Sequence, residues 1–396
     1  MVGPHTTPDV SIIIPTHNEG VWLRRTVQAI TASTDYPSYE VLVVDDGSND
    51  GSCEFLESPF KSDTRVRAVT GKDLGVAGAR AFGASHAHGH SLVFLDAHVL
   101  PDPGWLVEMM EMLSDPTVGI AGVGVRDVNN PSYLGYAYVP ANENLNAAWA
   151  APRGKSPFEV PAIIGCCFGI RRSVYEAIGG FDPGSVGWGV DDIELSLRAW
   201  FMGYRCLASK AVQVAHWFKD LDDRSYSVSW EDYDVNLLRC AFTFFEGPRL
   251  SAILSNAAER DSFRRSLARV HADGRYWSRR AWLRERFRND ELWYFNRFAS
   301  ELAPLNQRLR MVLDRHRRYG SMNVQKNSDC PKCGAKNLGI QDQCLICGAK
   351  LPASDAASVA GSQEEQFRAG STCRNCSATL KSGNRFCTKC GTPTAV

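Results

Sequence analysis

The stretch LVFLDAHVLP (92–101) opens as an apolar run and closes on an acid and an imidazole, Asp96 and His98. Side chains two apart on an extended segment share a face, so this pair can reach one ion or one substrate together. An apolar strand that finishes in ligand-type groups is the pattern of an open α/β sheet, whose ligand crevice lies outside the carboxyl ends of its strands. The residues upstream repeat the pattern. VSIIIP (10–15) leads to a helix over about 22–31, EVLVVDD (40–46) ends in two carboxylates, and RVRAVTG (65–71) precedes a helix running through Arg80. Short apolar strands alternating with helical periodicity predict an α/β fold: a Rossmann-like, mostly parallel sheet with helices on both faces.

Two familiar nucleotide signatures are missing. The sequence holds no G-x-x-x-x-G-K-S/T phosphate loop, and no G-x-G-x-x-G follows the first strand. ATPase and dinucleotide chemistry are thereby disfavoured. A bound diphosphate would need another counter-charge, such as a divalent cation at Asp96 and His98. Asp45 and Asp46, at the end of the second strand, can accept hydrogen bonds from a base or a ribose. The following DGSNDGSCEFLE (46–57) imitates a calcium loop, but that loop is entered by a helix and this one by a β-branched run, which excludes calcium. HAHGH (86–90) falls where a helix should end at Gly89, and helix-end histidines suit the dipole without a metal.

Length and composition fit a globular protein with room for a large core. The 396 residues are 44% hydrophobic and 22% charged, with formal net charge +0. No global field draws such a chain to nucleic acid or to an anionic membrane. No apolar run approaches the roughly 18 residues of a membrane span. The start, MVGPHTTPDVSIII, lacks the basic and apolar segments of a secretory signal, so the expected compartment is the cytoplasm.

Eight of the 13 cysteines follow residue 329, as Cys330, Cys333, Cys344, Cys347 and then Cys373, Cys376, Cys387, Cys390. Both sets read C-x2-C-x10-C-x2-C, the spacing of a closed four-thiolate zinc site, so two structural Zn²⁺ are expected. Domains then divide as 1–217, an α/β catalytic unit; 218–326, a helical extension; 327–351, a first ribbon; 352–370, a flexible Ser- and Ala-rich linker; and 371–396, a second ribbon. Within the extension, RYWSRRAWLRERFRNDELWYF (275–295) is Arg-rich, but its apolar residues recur at helical spacing. A packed amphipathic helix with a solvated basic face accounts for it.

GWGVDDIELSLRAWFMGYRC (187–206) places Asp191, Asp192 and Glu194 where a glycine-rich loop, GGFDPGSVGWG (179–189), enters a helix. Acids in a first turn are favoured by the helix dipole. Three of them beside Trp188 and a flexible loop also suggest an acceptor pocket with a general base. VQVAHWF (212–218) then sets His216 at the end of another short strand.

Taken in order, VSIIIPTHNEG, VLVVDDGSNDGS, GVAGARAFGAS, LDAHV and GWGVDDIELSLRAW resemble family-2 glycosyltransferases of the GT-A fold, over residues 9 to about 220. Asp-x-His in place of Asp-x-Asp, and the later His, are most similar to the polypeptide N-acetylgalactosaminyltransferases. The resemblance implies a UDP-sugar site made by Thr16, Glu19, Asp45, Asp46, Gly75, Arg80, Asp96 and Trp188, with Thr16, Glu19, Asp45 and Asp46 on the uridine and Arg80 on the diphosphate. It implies Mn²⁺ (or Mg²⁺) on Asp96, His98 and His216, and catalysis at Asp192 with Asp191 and Glu194 in support. The animal members carry a lectin domain and a membrane anchor where this chain carries zinc ribbons, and Asn where it has Asp192. The implied activity is sugar transfer from a UDP-sugar to an acceptor peptide, protein or glycan, with a protein partner on the ribbons. A glycan or lipid-linked acceptor, or a non-catalytic sugar-nucleotide-binding adaptor, are the alternatives.

Overall fold

A computed structural model describes residues 7–57, 63–140, 145, 147–150, 154–219, 224 and 228–298, together with two short strands at 328–329 and 336–337. The chain divides into two compact units, residues 1–351 and 352–396. The eight ribbon cysteines and the linker lie outside the described residues.

In chain order the elements are β1 (Val10–Thr16), α1 (Val21–Ser33), β2 (Tyr39–Asp45), β3 (Val66–Thr70), α2 (Gly75–His86), β4 (Ser91–Leu95), β5 (Val99–Pro101), α3 (Trp105–Ser114) and β6 (Val118–Asp127). There follow β7 (Leu134–Gly135), β8 (Ala137–Pro140), β9 (Ala147–Ala150), β10 (Phe158–Glu159), β11 (Cys167–Arg171), α4 (Arg172–Ala177), α5 (Asp191–Phe201) and β12 (Arg205–His216). The extension supplies α6 (Trp230–Phe244), α7 (Gly247–Ala257), α8 (Phe263–Ala272), α9 (Gly274–Arg284) and α10 (Glu291–Arg297). The strands β13 (Ser328–Asp329) and β14 (Lys336–Asn337) pair antiparallel and bracket the first C-x2-C pair.

One large sheet runs β10-β12-β6-β11-β4-β1-β2-β3. β3, β2, β1 and β4 are mutually parallel. β11 is antiparallel to both neighbours, and β12 returns parallel to β6. Consecutive residues of the central strands face opposite cores. Ile13, Leu42, Val44 and Phe94 join the layer of α2, α5 and α6, while Ile12, Ile14, Val43 and Val93 join that of α1 and α3. A sheet covered on both faces explains why its strands read as unbroken apolar runs. β2 lies on one side of β1 and β4 on the other, so their carboxyl ends form a topological switch point.

Three details differ from the sequence reading. LVFLDAHVLP is not one extended segment: β4 ends at Leu95, and residues 97–98 form a turn into β5. The strand ending at His216 is long, twelve residues with a register shift between Ser209 and Gln213. The second helix stops at His86 rather than Gly89: Ala87 turns to extended backbone, and the His88 and Gly89 amides donate to the side chains of Glu40 and Ser11.

α2 seats on the sheet through Gly83. A Cβ there would meet Ile13 at 2.4 Å and Val44 at 2.8 Å. Overpacking of this kind costs about 1–3 kcal/mol. Gly83→Ala should lower the denaturation midpoint accordingly, without the gain that alanine ordinarily gives a helix; equilibrium urea unfolding would show it.

Candidate active site

Asp96 and His98 owe their convergence to the turn between β4 and β5. Thr26 of α1, fully buried, pins that turn by donating to the Ala97 carbonyl (2.9 Å) and accepting from the Val99 amide (3.1 Å). The Asp96 amide is held by the Cys166 carbonyl at 2.9 Å. β12 runs antiparallel to β5 with His216 opposite Val99, and the Trp217 amide donates to the His98 carbonyl. The result is a cluster in which one ligand atom from each of Asp96, His98 and His216 lies within 4.8 Å of the others. It is the one such group of three among the described residues. Packing holds the imidazoles: Phe218 lies 4.2 Å from His216, and Trp217, stacked on Trp22, meets His98 edge-on.

The charge state suits a cation. Burial alone would raise the Asp96 carboxyl, but the bond from His216 and the charges of Arg80, His98 and His216 hold it well below the usual carboxylate range. Burial pushes the His216 imidazole below its ordinary value against the pull of Asp96, which keeps it neutral and able to ligate. His216 Nδ1 is buried with no partner among the described residues.

Arg80 is the centre of the site. It is 3% exposed, and its guanidinium donates to Asp96 (2.8 Å), to Asp191 (2.5 Å) and to the Gly165 carbonyl (2.8 Å). These acceptors hold its two terminal nitrogens, while its Nε has no partner among the described residues. Arg80 joins the cation cluster to the head of α5. Asp192, next to Asp191, packs so closely on Gly165 that a Cβ there would lie 2.8 Å from its carboxylate oxygen. Burial first, and then the charge of Asp191, raise the Asp192 carboxyl to about 7. Its other oxygen accepts from the Ile193 amide at 2.8 Å, so it also satisfies one free N–H of the first helical turn. Glu194 turns away into an ion pair with the buried Arg198 (2.5 Å).

The residues expected on the uridine separate. Thr16 ends β1 opposite Asp45 of β2, and its buried hydroxyl has no partner among the described residues. Asp45 accepts from the Ser48 amide. Asp46 accepts from the Leu74 and Gly75 amides and so organises the start of α2. Glu19 lies with the cation cluster, 3.1 Å from His98 Nδ1 and 2.6 Å from Lys219 Nζ. Burial would raise its carboxyl, but His98 and Lys219 outweigh that and lower it. Gly75 sits against the backbone of Gly187, and Trp188 is 42% exposed above Tyr233.

Sequence reasoning missed Lys219, Gly165 and Tyr138. Only Lys219 left a signal, a cation three residues beyond His216. The Tyr138 phenol is pushed well up by burial and then by the charges of Asp192, Cys166 and Asp96. The histidines of HAHGH stay at the opposite end of the sheet, where His88 meets Glu40. In the calcium-like loop, Asp50 bonds the Gly20 and Ser52 amides.

Comparison with known proteins finds matches over the regions that carry these residues. Residues 11–179 match the family model of glycosyl transferase family 2, and residues 147–218 match that described as the N-terminal domain of galactosyltransferase. Residues 326–393 match the double zinc ribbon. The chain thus carries a family-2 glycosyltransferase domain followed by a double zinc ribbon domain. It is 30% identical over 249 residues to polypeptide N-acetylgalactosaminyltransferase 8 of Drosophila melanogaster, covering 58% of this chain and 41% of that protein. It is 28% identical over 269 residues to the probable N-acetylgalactosaminyltransferase 6 of Caenorhabditis elegans, covering 61% and 43%. The chain spans about two fifths of the length of these relatives. The crystal structure of GalNAc-T7 with UDP, GalNAc and Mn2+ superposes with a TM-score of 0.59 at 20% identity, over 75% of this chain and 58% of that one, and shares the fold. No helix among the described residues is long and apolar enough to cross a membrane.

The raised Asp192 carboxyl has a consequence for stability. Its folded value, about 7, exceeds the ordinary 3.8, so between those limits the native state binds more protons than the unfolded chain. Stability contributed by the neutral carboxyl is lost as pH rises through about 7. Asp192→Asn should therefore melt higher than wild type at pH 8, with a difference that shrinks towards pH 4; melting curves across that range test it.

Proposed function

We propose that this protein is a metal-dependent glycosyltransferase that moves a sugar from a UDP-sugar to a peptide or protein side chain. The observation that carries the reading is the Arg80 bridge, which ties Asp96 of the three-residue cation cluster to Asp191, the chain neighbour of the buried Asp192 carboxyl. The supporting comparisons are the family-2 domain and the transferase relatives. Domains are read as a catalytic unit to 217, a helical extension to 326 and two ribbons joined by a linker. Five described cysteines are free thiols, which supports a reducing compartment such as the cytoplasm.

Thr16 and Asp45 bind the uridine, Thr16 through its unpartnered hydroxyl. Asp96, His98 and His216 hold Mn²⁺, a mixed oxygen and nitrogen set that suits this ion. When bound, the cation supplies Lewis-acid charge to the leaving diphosphate. Glu19 orients His98 by accepting from Nδ1–H, which leaves Nε2 as the ligand. Lys219 holds the second Glu19 oxygen. Trp188 covers the sugar. Asp192 accepts the proton of the acceptor hydroxyl as its oxygen attacks the anomeric carbon and the bond to UDP breaks. A carboxyl near 7 suits that work at neutral pH. Attack opposite the leaving group inverts the anomeric centre.

Asp96→Ala should abolish Mn²⁺-dependent turnover and Mn²⁺ binding with the fold intact; full activity there, or in excess EDTA, would refute the cation assignment. Asp192→Asn should keep UDP-sugar binding and lose about a hundredfold or more in turnover. The wild-type product from an α-linked donor should be β-linked by NMR, and an α-linked product removes the base role from Asp192.

The two ribbons bind one Zn²⁺ each through their eight thiolates and recruit the acceptor or a partner. Truncation before Cys330 should spare UDP-sugar hydrolysis and weaken transfer to the acceptor. Loss of donor binding in that variant would make the ribbons part of the core instead.

A further inference from the structure

The loop GGFDPGSVGWG reads as flexible, yet the structure ties it down from outside the family-2 and galactosyltransferase-type regions. α6 presents one face to it, formed by Asp232, Tyr233, Asn236 and Arg239, residues spaced to share a helical side. Arg239 takes Asp182 at the loop's start through two bonds of 2.7 Å. Asn236, 6% exposed, takes its end. Its Oδ1 accepts from the Val186 amide (2.9 Å) and the Ser185 hydroxyl (3.2 Å), and its Nδ2 donates to the carbonyls of Val186 (2.7 Å) and Gly189 (3.1 Å). The amide donor on one side and the carbonyls on the other fix the orientation of the side-chain amide. All four of its hydrogen-bonding directions are spent on residues 185–189.

Beyond this clamp the backbone is strained. Gly187 and Gly189 have φ of +55° and +105°, and Val190 has φ of +71°. A left-handed conformation is a true outlier for a β-branched residue and persists only where its surroundings impose it. The Gly189 carbonyl held by Asn236 belongs to the peptide that enters Val190, and Val190 directly precedes Asp191 and Asp192. On the far side the loop meets α2: the Val76 amide donates to the Gly187 carbonyl, and a Cβ at Gly75 would lie 3.1 Å from it. The loop is thus pressed between the donor half and the helical extension.

We infer that Asn236 is a positioning residue for sugar transfer, holding the 185–190 loop in the strained conformation that sets Trp188 and Asp192 over the acceptor. The inference rests on the glycosyltransferase reading above. The role needs both donors and acceptors of one short amide, so Asn236→Asp, which turns a carboxylate on two carbonyls, should fail although its size is unchanged.

The test combines hydrogen–deuterium exchange with steady-state kinetics on full-length wild type, Asn236→Asp and Gly187→Ala. The last strains the same loop from within, since Gly187 has a φ of +55° and its Cβ would lie 3.3 Å from Asp232, and leaves Asn236 itself unchanged. In both variants the Val186 amide should exchange roughly tenfold faster or more, because Asn236→Asp replaces the two bonds to the Val186 and Gly189 carbonyls with repulsion and Gly187→Ala strains the loop backbone. Protection of β1, β2 and β4 should be unchanged. Transfer kcat should fall by about tenfold or more with KM for the UDP-sugar and Kd for Mn²⁺ within about twofold, the signature of an interaction spent in the transition state. Unchanged loop exchange, or faster exchange with unchanged kcat, overturns the inference. If Asn236→Asp does not fold, Gly187→Ala decides by the same criteria. A wild-type chain that turns over no UDP-sugar refutes the glycosyltransferase reading itself, while the exchange arm still decides whether Asn236 holds the loop.

Discussion

A buried guanidinium with two carboxylates on it is the constraint on which the rest of the site depends. Arg80 can remain charged at 3% exposure only because Asp96, Asp191 and the Gly165 carbonyl surround it. Removing one partner of such a group leaves an uncompensated buried charge, at a cost of about 3–5 kcal/mol. The two carboxylates are therefore fixed relative to one another, although one follows β4 and the other opens α5, 95 positions later. One arginine against two aspartates also leaves a net negative charge beside two imidazoles. That residual charge favours a cation at the triad, and it discourages ionisation of the nearby Asp192.

Much of this is legible in the sequence. Strands covered by helices on both faces need apolar residues at nearly every position, and VLVV, LVFL and, apart from Ser11, VSIII supply them. The carboxyl ends of such strands carry the crevice whatever the chemistry, so position alone marks Asp45 and Asp96, and the family resemblance adds Thr16. The convergence of Asp96 and His98 is legible too, but for the wrong local reason. An extended segment would also have aligned them, whereas the chain turns after Leu95 and Thr26 holds the turn. His216 can be placed at a strand end, but its meeting with His98 depends on the pairing of β12 with β5, a register no local pattern encodes.

The partners are what the sequence does not supply. Asp46 and Glu19 are carboxylates near strand ends; local reasoning gives Asp46 to the ligand, and the family resemblance gives both. In the fold, Asp46 spends its oxygens on the first amides of α2, and Glu19 spends its own on His98 and Lys219, which is 200 residues away. Arg80 shows the same limit. The family resemblance assigns it to the diphosphate, and only tertiary packing reveals that its two terminal nitrogens are held by Asp191, Asp96 and the Gly165 carbonyl. Surface and core charges look alike until their neighbours are known.

The glycine-rich loop carries this lesson furthest. Glycines at 179, 180, 187 and 189 suggest freedom, and four positive φ angles confirm that the backbone needs them. Conformational permission is not mobility, however. A segment with many accessible states loses more entropy when ordered, so its order must be supplied by its surroundings. Here they are Arg239 and Asn236 on α6, beyond the regions matched by the glycosyltransferase models, which end at 218. The strained Val190 adds a cost that the same contacts must offset. A catalytic unit cut at the end of β12 would keep the triad, the Arg80 bridge and Asp192, yet lose the helix that holds the backbone leading into them. The helical extension therefore supports the candidate site from α6, through the bonds of Arg239 and Asn236 to the loop that leads into it.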